Sequence, residues 1–532
     1  MPLVLLFAAC IPVAVDGDGA NIAGLPVHMT FLHTSDIHSR LFEYHFEPSF
    51  TDETLGLAED LGPYGGLAEI AYILRREREQ SGRVLHVDSG DSFQGAVVFN
   101  EFDGEAEFRA LTAAGLNAAV LANHEFDKGA SNLATQAATW AGFDLLAANY
   151  DFADSDLPYA TELEDLVLPS VMFDVDGLRV GIIGMGNLSS LNSIYDQSNS
   201  MGIRVIEVDD VIPSEAAKLR AEGADIVVLV SHMGLDDDIE NATNHPEIDL
   251  ILGGHHHVAL DPPLVVTNEQ TGKRIPIVHS GAFAKFVGRL DIVVQDGQIL
   301  SHDYQLFPVD NTVPQDPEVA EILEEYQEQL DYELNLDQVI GYAEEKLLRY
   351  GTSGGDSMLG NLTAEAMRFT PGVETEIALT NTLGIRADIP AGDITLDVLY
   401  NSMPFDNTIT TMFLSGRELQ ELLDYVTSRS TERGCQSQAQ VAGIRFTMDC
   451  RNVVATDIYI NGAPLSEDGT YELATNNYIA HGGSGFEVLE RNTTQVDTGV
   501  SIRDVVKQAI SGYGTLPQAG ACEEDGRILA VY

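Results

Sequence analysis

Short runs of apolar and β-branched residues recur between residues 30 and 294, and several are joined by longer segments with apolar residues at helical spacing. We interpret the short runs as strands, at 30–34, 84–87, 119–122, 178–183, 226–230, 250–252 and 275–278. The helical patterns lie at 66–79, 105–114 and 213–221. This arrangement predicts a layered α/β domain in the first part of the chain.

A Glu-rich segment at 317–336 has apolar residues at helical spacing and no Gly or Pro after its first residue, which predicts one long helix. A mixed pattern follows it, with a helix at 359–368 and strands at 377–380, 408–413 and 458–460. A chain of 532 residues exceeds what one core usually organises. We therefore predict a leader and spacer at 1–27, a first domain at 28–312, a linker helix at 313–338 and a smaller mixed α/β domain at 339–532.

The charge balance excludes several classes of partner. There are 28 Lys and Arg against 83 Asp and Glu, a formal net charge of −55, which would repel DNA, RNA and anionic lipid surfaces. Polymeric nucleic acid is therefore excluded as a partner. A small anionic substrate would have to be attracted by bound metal ions or by a few arginines.

The first ten residues, MPLVLLFAAC, form a short apolar run that ends in small residues before a cysteine, as in a bacterial lipoprotein signal. This pattern predicts a protein outside the cytoplasm, in the periplasm, on the outer surface or secreted, with Cys10 as a membrane tether through lipidation. Three further cysteines lie near the end of the chain. They suit one disulfide in an oxidising compartment; we favour Cys435 with Cys450 and leave Cys522 unassigned.

Each of five predicted strands is followed directly by residues that can bind a metal. The clusters are Ser35-Asp36-Ile37-His38, Asp88-Ser89-Gly90-Asp91, Asn123-His124-Glu125, Ser231-His232 and Gly253-Gly254-His255-His256-His257. Ligands of layered α/β folds bind outside the carboxyl ends of strands, so clusters from distant parts of the chain can converge. Asp oxygens and His nitrogens suit Zn, Mn or Fe, and a carboxylate can bridge two ions. The sequence therefore predicts a two-metal centre, in which a bridging hydroxide would attack a phosphoryl group.

The same residues resemble a known family. Asp36-x-His38, Gly90-Asp91, Asn123-His124-Glu125, Ser231-His232 and Gly254-His255-x-His257 are similar, in this order, to the metallophosphoesterase motifs of bacterial and animal 5'-nucleotidases. The resemblance extends from about residue 28 to 530. It implies a four-layer metallophosphoesterase β-sandwich flanked by helices as the catalytic domain, followed by a smaller mixed α/β substrate-binding domain.

Carried over by position, the resemblance implies two divalent metal ions. Asp36, His38, Asp91 and His257 would hold one ion, and Asp91, Asn123, His232 and His255 would hold the other, with Asp91 as the bridge. His124 matches a catalytic histidine that does not bind metal, and Asp127 matches the carboxylate that orients it.

In the second domain, the resemblance implies the substrate-binding residues. The segment from Asn381 to Arg386 is similar to the family's phosphate-binding loop, in which the arginine binds the phosphate. Phe405 and Tyr478 match the two aromatics that stack on the nucleobase, and Ser484 stands where the family has an aspartate that binds the ribose hydroxyls. Three further departures are Thr382 and Leu383 in place of loop glycines, and Gly355 where some members have a phosphate-binding arginine.

These features predict a secreted dinuclear-metal phosphohydrolase of the 5'-nucleotidase type, which acts on a small nucleotide or a related organic phosphate. Because Ser484 and Gly355 weaken the expected nucleotide contacts, a 2',3'-cyclic-nucleotide or nucleotide-sugar phosphodiesterase of the same fold is the alternative. Hydrolysis of a sulfur-linked ester is a further alternative within the fold. A non-enzymatic surface binding protein is the alternative from another class.

Overall fold

The computed structural model describes residues 22, 24–46, 48–58, 61–152, 160–187 and 203–532. The chain divides into two compact units. Among the described residues, the first unit takes in residues up to 93, 102–187 and 203–327, and the second takes in 94–101 and 328–532. Cys10, and with it the predicted lipid anchor, lies outside the described residues.

The first unit is built on two large sheets, whose strands are numbered in chain order. These strands are β1 Val27–Thr34, β2 Val84–Asp88, β3 Ala118–Val120, β4 Asp144–Leu146, β5 Tyr150–Asp151, β6 Val167–Leu168, β7 Ser170–Val175, β8 Leu178–Met185, β9 Arg204–Val205, β10 Ile226–Ser231, β11 Leu250–Gly253, β12 Leu264–Thr267, β13 Arg274–His279, β14 Phe286–Gln295 and β15 Gln298–Pro308. The seven-stranded sheet has the order β15-β14-β1-β2-β3-β4-β6, the six-stranded sheet has the order β12-β13-β11-β10-β8-β7, and β5 pairs with β9.

The central strands of both sheets are parallel. In the seven-stranded sheet, β1, β2 and β3 run in the same direction, with Thr34 beside Asp88 and Asp88 beside Ala119. In the six-stranded sheet, β8, β10, β11 and β13 also run in one direction. The carboxyl ends of neighbouring strands therefore share one edge in each sheet, which is where the predicted metal ligands follow.

Helices of the first unit flank these sheets. Up to residue 334 the helices of the chain are α1 Phe50–Thr54, α2 Leu67–Gln80, α3 Val97–Phe102, α4 Glu105–Ala113, α5 Gly129–Trp140, α6 Ala160–Leu166, α7 Val208–Ala221, α8 Leu235–Asn244 and α9 Pro317–Leu334. Of these, α3 belongs to the second unit except for Phe102, and α9 belongs to the first unit only up to Gln327. Helix α2 packs on β14 of one sheet, and α7 packs on β8 of the other. Between the sheets lies one core, to which Phe31 and Leu85 contribute from the first sheet and Val180, Val228 and Leu252 from the second. The predicted four-layer arrangement is therefore confirmed.

Helix α7 begins earlier than the sequence pattern predicts. The sequence pattern predicts a helix that begins at Pro213. Instead the helix begins at Val208, and Pro213 lies inside it. Val211 and Ile212 are buried and extend the apolar face toward the amino terminus. This burial outweighs the loss of the one backbone hydrogen bond that proline cannot donate.

The second unit is a smaller mixed α/β fold. Its strands are β16 Val339–Ala343, β17 Ile377–Asn381, β18 Gly392–Thr395, β19 Thr408–Ser415, β20 Ala439–Ala442, β21 Ile444–Asp449, β22 Val454–Ile460, β23 Ala463–Pro464, β24 Thr470–Asn476, β25 Val496–Ser501, β26 Thr515–Leu516 and β27 Ile528–Val531. They form sheets of the orders β20-β17-β24-β19-β25, β23-β22-β21-β27 and β18-β16-β26. Its remaining helices are α10 Met358–Phe369, α11 Leu396–Ser402, α12 Gly416–Thr431, α13 Asn477–Ala480, α14 Glu487–Glu490 and α15 Ile502–Tyr513.

Helix α12 shows how the sequence specifies this unit. Ser415 and Glu418 form a capping box that satisfies backbone donors at the start of the helix. Leu419, Leu422 and Val426, at helical spacing, are fully buried in the core of the unit. The opposite face is therefore left for polar and charged residues.

The disulfide prediction is confirmed: Cys435 and Cys450 are bonded, with their Cα atoms 6.0 Å apart. Cys522 is buried and carries a free thiol. Within the described residues, no helix is both long and apolar enough to span a membrane.

Candidate metal centre

The seven predicted metal ligands all follow strands of the first unit. Asp36 and His38 follow β1, Asp91 follows β2, and Asn123 follows β3. His232 follows β10, and the remaining two, His255 and His257, follow β11. Both sheets thus contribute to one cluster at the carboxyl ends of their parallel strands.

The ligand atoms of these side chains lie close together. His232 Nε2 is 2.9 Å from Asp91 Oδ2, and His257 Nε2 is 3.5 Å from Asp36 Oδ1. His38 Nε2 is 3.0 Å from His257 Nε2 and 3.9 Å from Asp91 Oδ2. Nitrogen atoms of two histidines approach in this way where a shared proton or a cation can lie near both.

Three groups have ligand atoms within 4.8 Å of one another: Asp36 with His38 and His257, Asp91 with His232 and His255, and Asp91 with His38 and His124. The first two groups fall within the two predicted ligand sets. Asp91 belongs to the second and third groups, and His38 of the first group has its Nε2 3.9 Å from Asp91 Oδ2, so Asp91 lies between the two predicted ligand sets. The third group brings the predicted catalytic residue His124 beside the same carboxylate.

The backbone at the cluster is strained. Asp36, His38, Asp91, His255 and His257 have φ values of 51, 52, 55, 77 and 56°. A left-handed conformation costs a non-glycine residue on the order of 1 kcal/mol, so five of them in one site indicate that the fold maintains an unfavourable backbone in order to aim these side chains.

Buried carboxylates outside the predicted set hold the loops in this conformation. Glu125 is 2% exposed and accepts hydrogen bonds from the backbone N–H groups of Asp91, Ser92, Phe93 and Ala122. It therefore ties the loop after β2 to the loop after β3.

Asp88 braces the neighbouring loop. It accepts hydrogen bonds from the Thr34 hydroxyl at 2.6 Å and from the Gly90 backbone N–H at 2.8 Å. We singled out neither Glu125 nor Asp88 as a functional residue from the sequence. Both do belong to the polar clusters after the strands, which was the available signal.

The predicted ligands also brace one another. The backbone N–H of His255 donates to both oxygens of Asp36 at 3.1 Å, and the backbone N–H of His124 donates to Asp91 Oδ1 at 3.0 Å. These bonds fix both carboxylates without occupying all of their lone pairs.

The electrostatics of the cluster favour a bound positive charge. Burial alone would raise the pKa of Asp91, but the positive charges of His232 and His124 hold it well below its usual range. Burial would likewise lower the pKa of His232, but Asp91 and Asp36 raise it to about 10. Burial raises the pKa of Glu125 to about 7, with Asp91 adding to the effect. Negative charge is thus concentrated here, and the cluster stabilises a proton or a metal cation.

The donor set fits divalent metal ions. His232 Nδ1 donates to the Ser89 carbonyl oxygen at 2.6 Å, so Nε2, which faces Asp91, is the ring atom that would release its proton when His232 binds a metal ion. Asn123 is buried, and its Oδ1 has no hydrogen-bond partner among the described residues. A buried amide oxygen without a partner costs about 1–3 kcal/mol, so it fits the coordination of a cation. Asn123, which the sequence placed in one ligand set, is available for that role.

His124 and Asp127 form a hydrogen-bonded pair at the edge of the cluster. His124 lies in a 3₁₀ turn at His124–Phe126, and its Nδ1 is 2.8 Å from Asp127 Oδ2. The carboxylate orients the ring and fixes the proton on Nδ1, as expected for an oriented acid-base residue.

The predicted phosphate loop of the second unit carries Arg386 beside an aromatic ring. The Arg386 guanidinium lies 5.7 Å from the centroid of the Phe405 ring. Arg349 Nη1 donates to the Arg386 carbonyl oxygen at 2.5 Å and so braces the loop. Asn381 is buried, and its Oδ1 accepts a hydrogen bond from Asn476 at 2.7 Å.

The residues predicted for the nucleoside are also brought together in this unit. The Tyr478 hydroxyl lies 3.2 Å from Ser484 Oγ. Ser484 adopts a left-handed backbone conformation with φ 58°, in a turn whose carbonyl oxygen accepts from Tyr425 at 2.6 Å. At Gly355, a Cβ atom would lie 2.0 Å from the Ile528 carbonyl oxygen, so this position excludes any side chain.

Comparison with known proteins identifies the family. Residues 29–259 match the calcineurin-like phosphoesterase family, and residues 339–491 match the C-terminal domain of 5'-nucleotidase. A crystal structure of a 5'-nucleotidase precursor from Thermus thermophilus superposes with a TM-score of 0.83 and 28% identity, covering 95% of this chain and 99% of that one. The chain belongs to the 5'-nucleotidase family.

Curated relatives agree with this assignment. A 5'-nucleotidase of Diplobatis ommata is 26% identical over 551 residues, covering 95% of this chain and 90% of its own length. The trifunctional nucleotide phosphoesterase protein YfkN of Bacillus subtilis (strain 168) is 26% identical over 499 residues; the match covers 86% of this chain and 33% of that protein. The chain thus spans about a third of that Bacillus relative.

Membership in the 5'-nucleotidase family fixes the general chemistry of this protein. It is a metallophosphoesterase, a hydrolase that uses divalent metal to cleave phosphoric esters. The family prediction made from the motifs is confirmed, and so are the fold class and the enzyme class.

Proposed function

We propose that this 5'-nucleotidase-family protein is a dinuclear-metal hydrolase of nucleotide 5'-phosphate esters that acts outside the cytoplasm. The observation that carries this proposal is that two ligand groups adjoin: Asp36 with His38 and His257, and Asp91 with His232 and His255. His38 Nε2 of the first group lies 3.9 Å from Asp91 Oδ2 of the second. One group alone would suit a single ion, whereas two adjoining groups with Asp91 between them suit a pair.

Asp36, His38, Asp91 and His257 would hold one metal ion, and Asp91, Asn123, His232 and His255 the other. Such a pair, when bound, supplies an activated water and neutralises charge on the phosphoryl oxygens. The protein supplies the alignment, through the strained loops and the bonds to Glu125 and Asp88.

His124 would act on the reacting phosphate without binding metal. Its Nδ1 is paired with Asp127, so the ring atom that would act on the phosphate is Nε2. From there the imidazole can donate a hydrogen bond to a phosphoryl or leaving-group oxygen as negative charge develops on it.

In the second unit, Arg386 would bind the substrate phosphate through its planar set of donors. Phe405 and Tyr478 would stack on the nucleobase, and Ser484 would face the ribose. Asn381 would contribute by holding the loop, because its Oδ1 is already bonded to Asn476. We assign residues 28–312 as the catalytic domain, 313–338 as the linker and 339–532 as the substrate-binding domain.

A location outside the cytoplasm is supported by the disulfide between Cys435 and Cys450, since such bonds persist in oxidising compartments. The predicted leader at 1–27 agrees with it. Fractionation of cells that express the full chain, with an assay of where its phosphatase activity is found, tests this part of the proposal.

The substrate assignment is tested by phosphate release from AMP, ADP, ATP, a UDP-sugar and bis(p-nitrophenyl) phosphate, with Mn²⁺ or Zn²⁺ and with an EDTA control. EDTA-sensitive release that is fastest from nucleoside monoesters supports the proposal. A preference for the diester would favour a phosphodiesterase of the same fold. No release from any substrate would contradict the enzymatic assignment itself.

A further inference from the structure

Two neighbouring arginines of the second unit form no ion pair with any carboxylate of the described residues. In a chain with 28 Lys and Arg against 83 Asp and Glu, most arginines are expected to find a carboxylate. Arg417 on α12 does so, with Glu467 and Asp468. Arg429 and Arg433, near the other end of this helix, make no ion pair in the part of the chain that the structure describes; their hydrogen bonds go to uncharged oxygens.

The pair lies between the two loops to which we assign nucleotide binding. Arg429 Nη1 donates to the Ser484 carbonyl oxygen at 2.8 Å. Arg433 Nη1 donates to Gln438 Oε1 at 3.2 Å, and the Gln438 carbonyl in turn accepts from the Thr382 backbone N–H at 3.1 Å. Arg429 therefore contacts the loop that carries Ser484. Arg433 contacts Gln438, which in turn is bonded to Thr382 of the predicted phosphate loop.

The two guanidinium groups are close enough to repel each other. Partial desolvation and the positive charge of Arg429 lower the pKa of Arg433, although the negative charge of Glu432 acts in the opposite direction. Arg429 is half-buried, and Arg433 is the more exposed of the two. Each retains N–H donors beyond the bonds described above, since a guanidinium has five. An anion between them would remove the repulsion and use these donors.

Ser484 is neutral and so does not repel an anion bound near Arg429. Ser484 carries a neutral hydroxyl, bonded to Tyr478, so no side-chain carboxylate at this position repels a negative group. A ribose with two free hydroxyls would find no charged acceptor here. A ribose that carries a phosphoryl group would instead lie near Arg429, which contacts Ser484, with Arg433 four residues further along the chain.

We propose that Arg429 and Arg433 form an anion subsite for a second phosphoryl group on the ribose ring, so that the preferred substrate is a nucleoside bisphosphate phosphorylated at the 5' position and at the 2' or 3' position. The inference rests on the proposed function, because it takes Tyr478 and Ser484 as the nucleoside side of the site. Arg386 retains its role at the 5'-phosphate.

Binding to the full chain in EDTA, measured by calorimetry, tests the subsite independently of catalysis. The ligands are AMP, ADP, adenosine 3',5'-bisphosphate and adenosine 2',5'-bisphosphate. At least one bisphosphate should bind about 10-fold or more tightly than AMP and ADP, as expected for one or two charge-assisted contacts. R433M should remove most of this difference while leaving the affinity for AMP unchanged.

R417M is the matched control, because it removes the same charge from α12 at an exposed arginine that is paired with carboxylates. It should keep the preference for the bisphosphate. Equal affinity for AMP and both bisphosphates, no binding of any ligand, or a preference unaffected by R433M would overturn the subsite. A similar gain for ADP would place the anion on the 5' chain and overturn its position on the ribose.

Hydrolysis separates this inference from the proposed function. Phosphate release by the Mn²⁺-loaded enzyme tests the latter alone. A binding preference that depends on Arg433, with no hydrolysis of AMP or of the bisphosphates, would contradict the proposed function and leave the subsite standing.

Discussion

At the scale of single residues, His124 provides a direct test of the division between metal binding and acid-base work. Replacing it with Ala should lower kcat for AMP by about 100-fold or more, because a general acid or transition-state donor typically contributes that much. Metal content, measured by mass spectrometry of the purified variant, should stay at the wild-type level. The exposed His28 offers the control H28A, which should change neither quantity.

Loss of metal in H124A would contradict its assignment as a residue that does not ligate. Unchanged turnover would contradict its role in the chemistry. Ligand atoms of His124, His38 and Asp91 lie within 4.8 Å of one another. Because this distance would also suit a metal ligand, metal content must be measured to separate metal binding from acid-base catalysis by His124.

Glu107 on α4 provides a residue-scale prediction about stability. It is fully buried, and burial raises the pKa of its carboxyl from 4.5 to about 7, although the Ser39 hydroxyl and Lys128 act in the opposite direction. Between these values the folded chain keeps a proton that the unfolded chain has lost. The free energy of unfolding should therefore fall as pH rises through this window, by up to about 1.4 kcal/mol per pH unit.

E107Q should remove this dependence and should be more stable than wild type at pH 8. Urea unfolding at pH 5 and at pH 8 measures the change. E79Q, at an exposed position near the end of α2, is the control and should keep the wild-type dependence. Identical pH dependence in E107Q and wild type would contradict the assignment.

The sequence predicts which polar side chains gather at the strand ends, but not the residues that support them. Asp36, Asp91 and His232 could be proposed as metal ligands because each comes after an apolar run, and strand ends of one sheet meet at one edge. Glu125 was missed because its role lies in four backbone N–H groups of two separate loops. Which loops approach each other follows from sheet order, which local patterns do not determine.

At the scale of elements, Gly253 at the end of β11 lies beneath a buried hydrogen bond between two other elements. His279, at the end of β13, is bonded to Asp238 of α8 at 2.8 Å. A Cβ atom on Gly253 would lie 2.2 Å from both bonded atoms. G253A should therefore destabilise the fold by about 1–3 kcal/mol, the usual cost of overpacking, and should disturb the adjacent His255.

Urea unfolding and the metal content of the purified variant measure these two effects. Gly82 provides the control, because a Cβ atom there meets nothing within 4 Å and its φ is not in the left-handed region. If G253A were as stable as G82A, the hydrogen bond over Gly253 would not constrain the element as described.

The disulfide between Cys435 and Cys450 encloses a 15-residue separation that includes β20 and β21. Closing a loop of about this length in the unfolded chain contributes roughly 3 kcal/mol. The double substitution C435S/C450S should therefore lower the free energy of unfolding by about 2–4 kcal/mol. C522S, which removes a buried free thiol, should have a smaller effect. Equal losses in the two variants would contradict a structural role of the bond.

The predicted and observed ends of two elements differ, because the surrounding structure decides where each element ends. The pattern predicted a strand at 119–122, while β3 covers Ala118–Val120. The chain leaves the sheet early because the next residues form the loop that carries Asn123 and His124. The long helix predicted at 317–336 ends at Leu334, and Asn335 then adopts φ 48°, a turn conformation that ends the helix.

At the scale of the whole molecule, a chain with a net charge of −55 is proposed to attract anionic nucleotides. The positive charge that attracts the nucleotide must then come from a few places. These are bound metal ions at the ends of β1, β2, β3, β10 and β11, and arginines of the second unit. The fold could be predicted from motif order and strand pattern together. The proposed anion subsite could not be predicted from the sequence, because it depends on the contacts of Arg429 with Ser484 and of Arg433 with Gln438, which are distant along the chain or specific to the fold.

We propose that the metal-centre cluster binds two divalent ions on which hydrolysis depends. Metal content per chain and phosphate release from AMP, followed in the same samples while EDTA removes the ions and Mn²⁺ restores them, test this dependence. We expect two ions per chain in the active protein, and activity that is lost and regained with them. Release of phosphate from AMP by fully stripped protein, or a fully loaded protein that leaves every nucleotide intact, would contradict it.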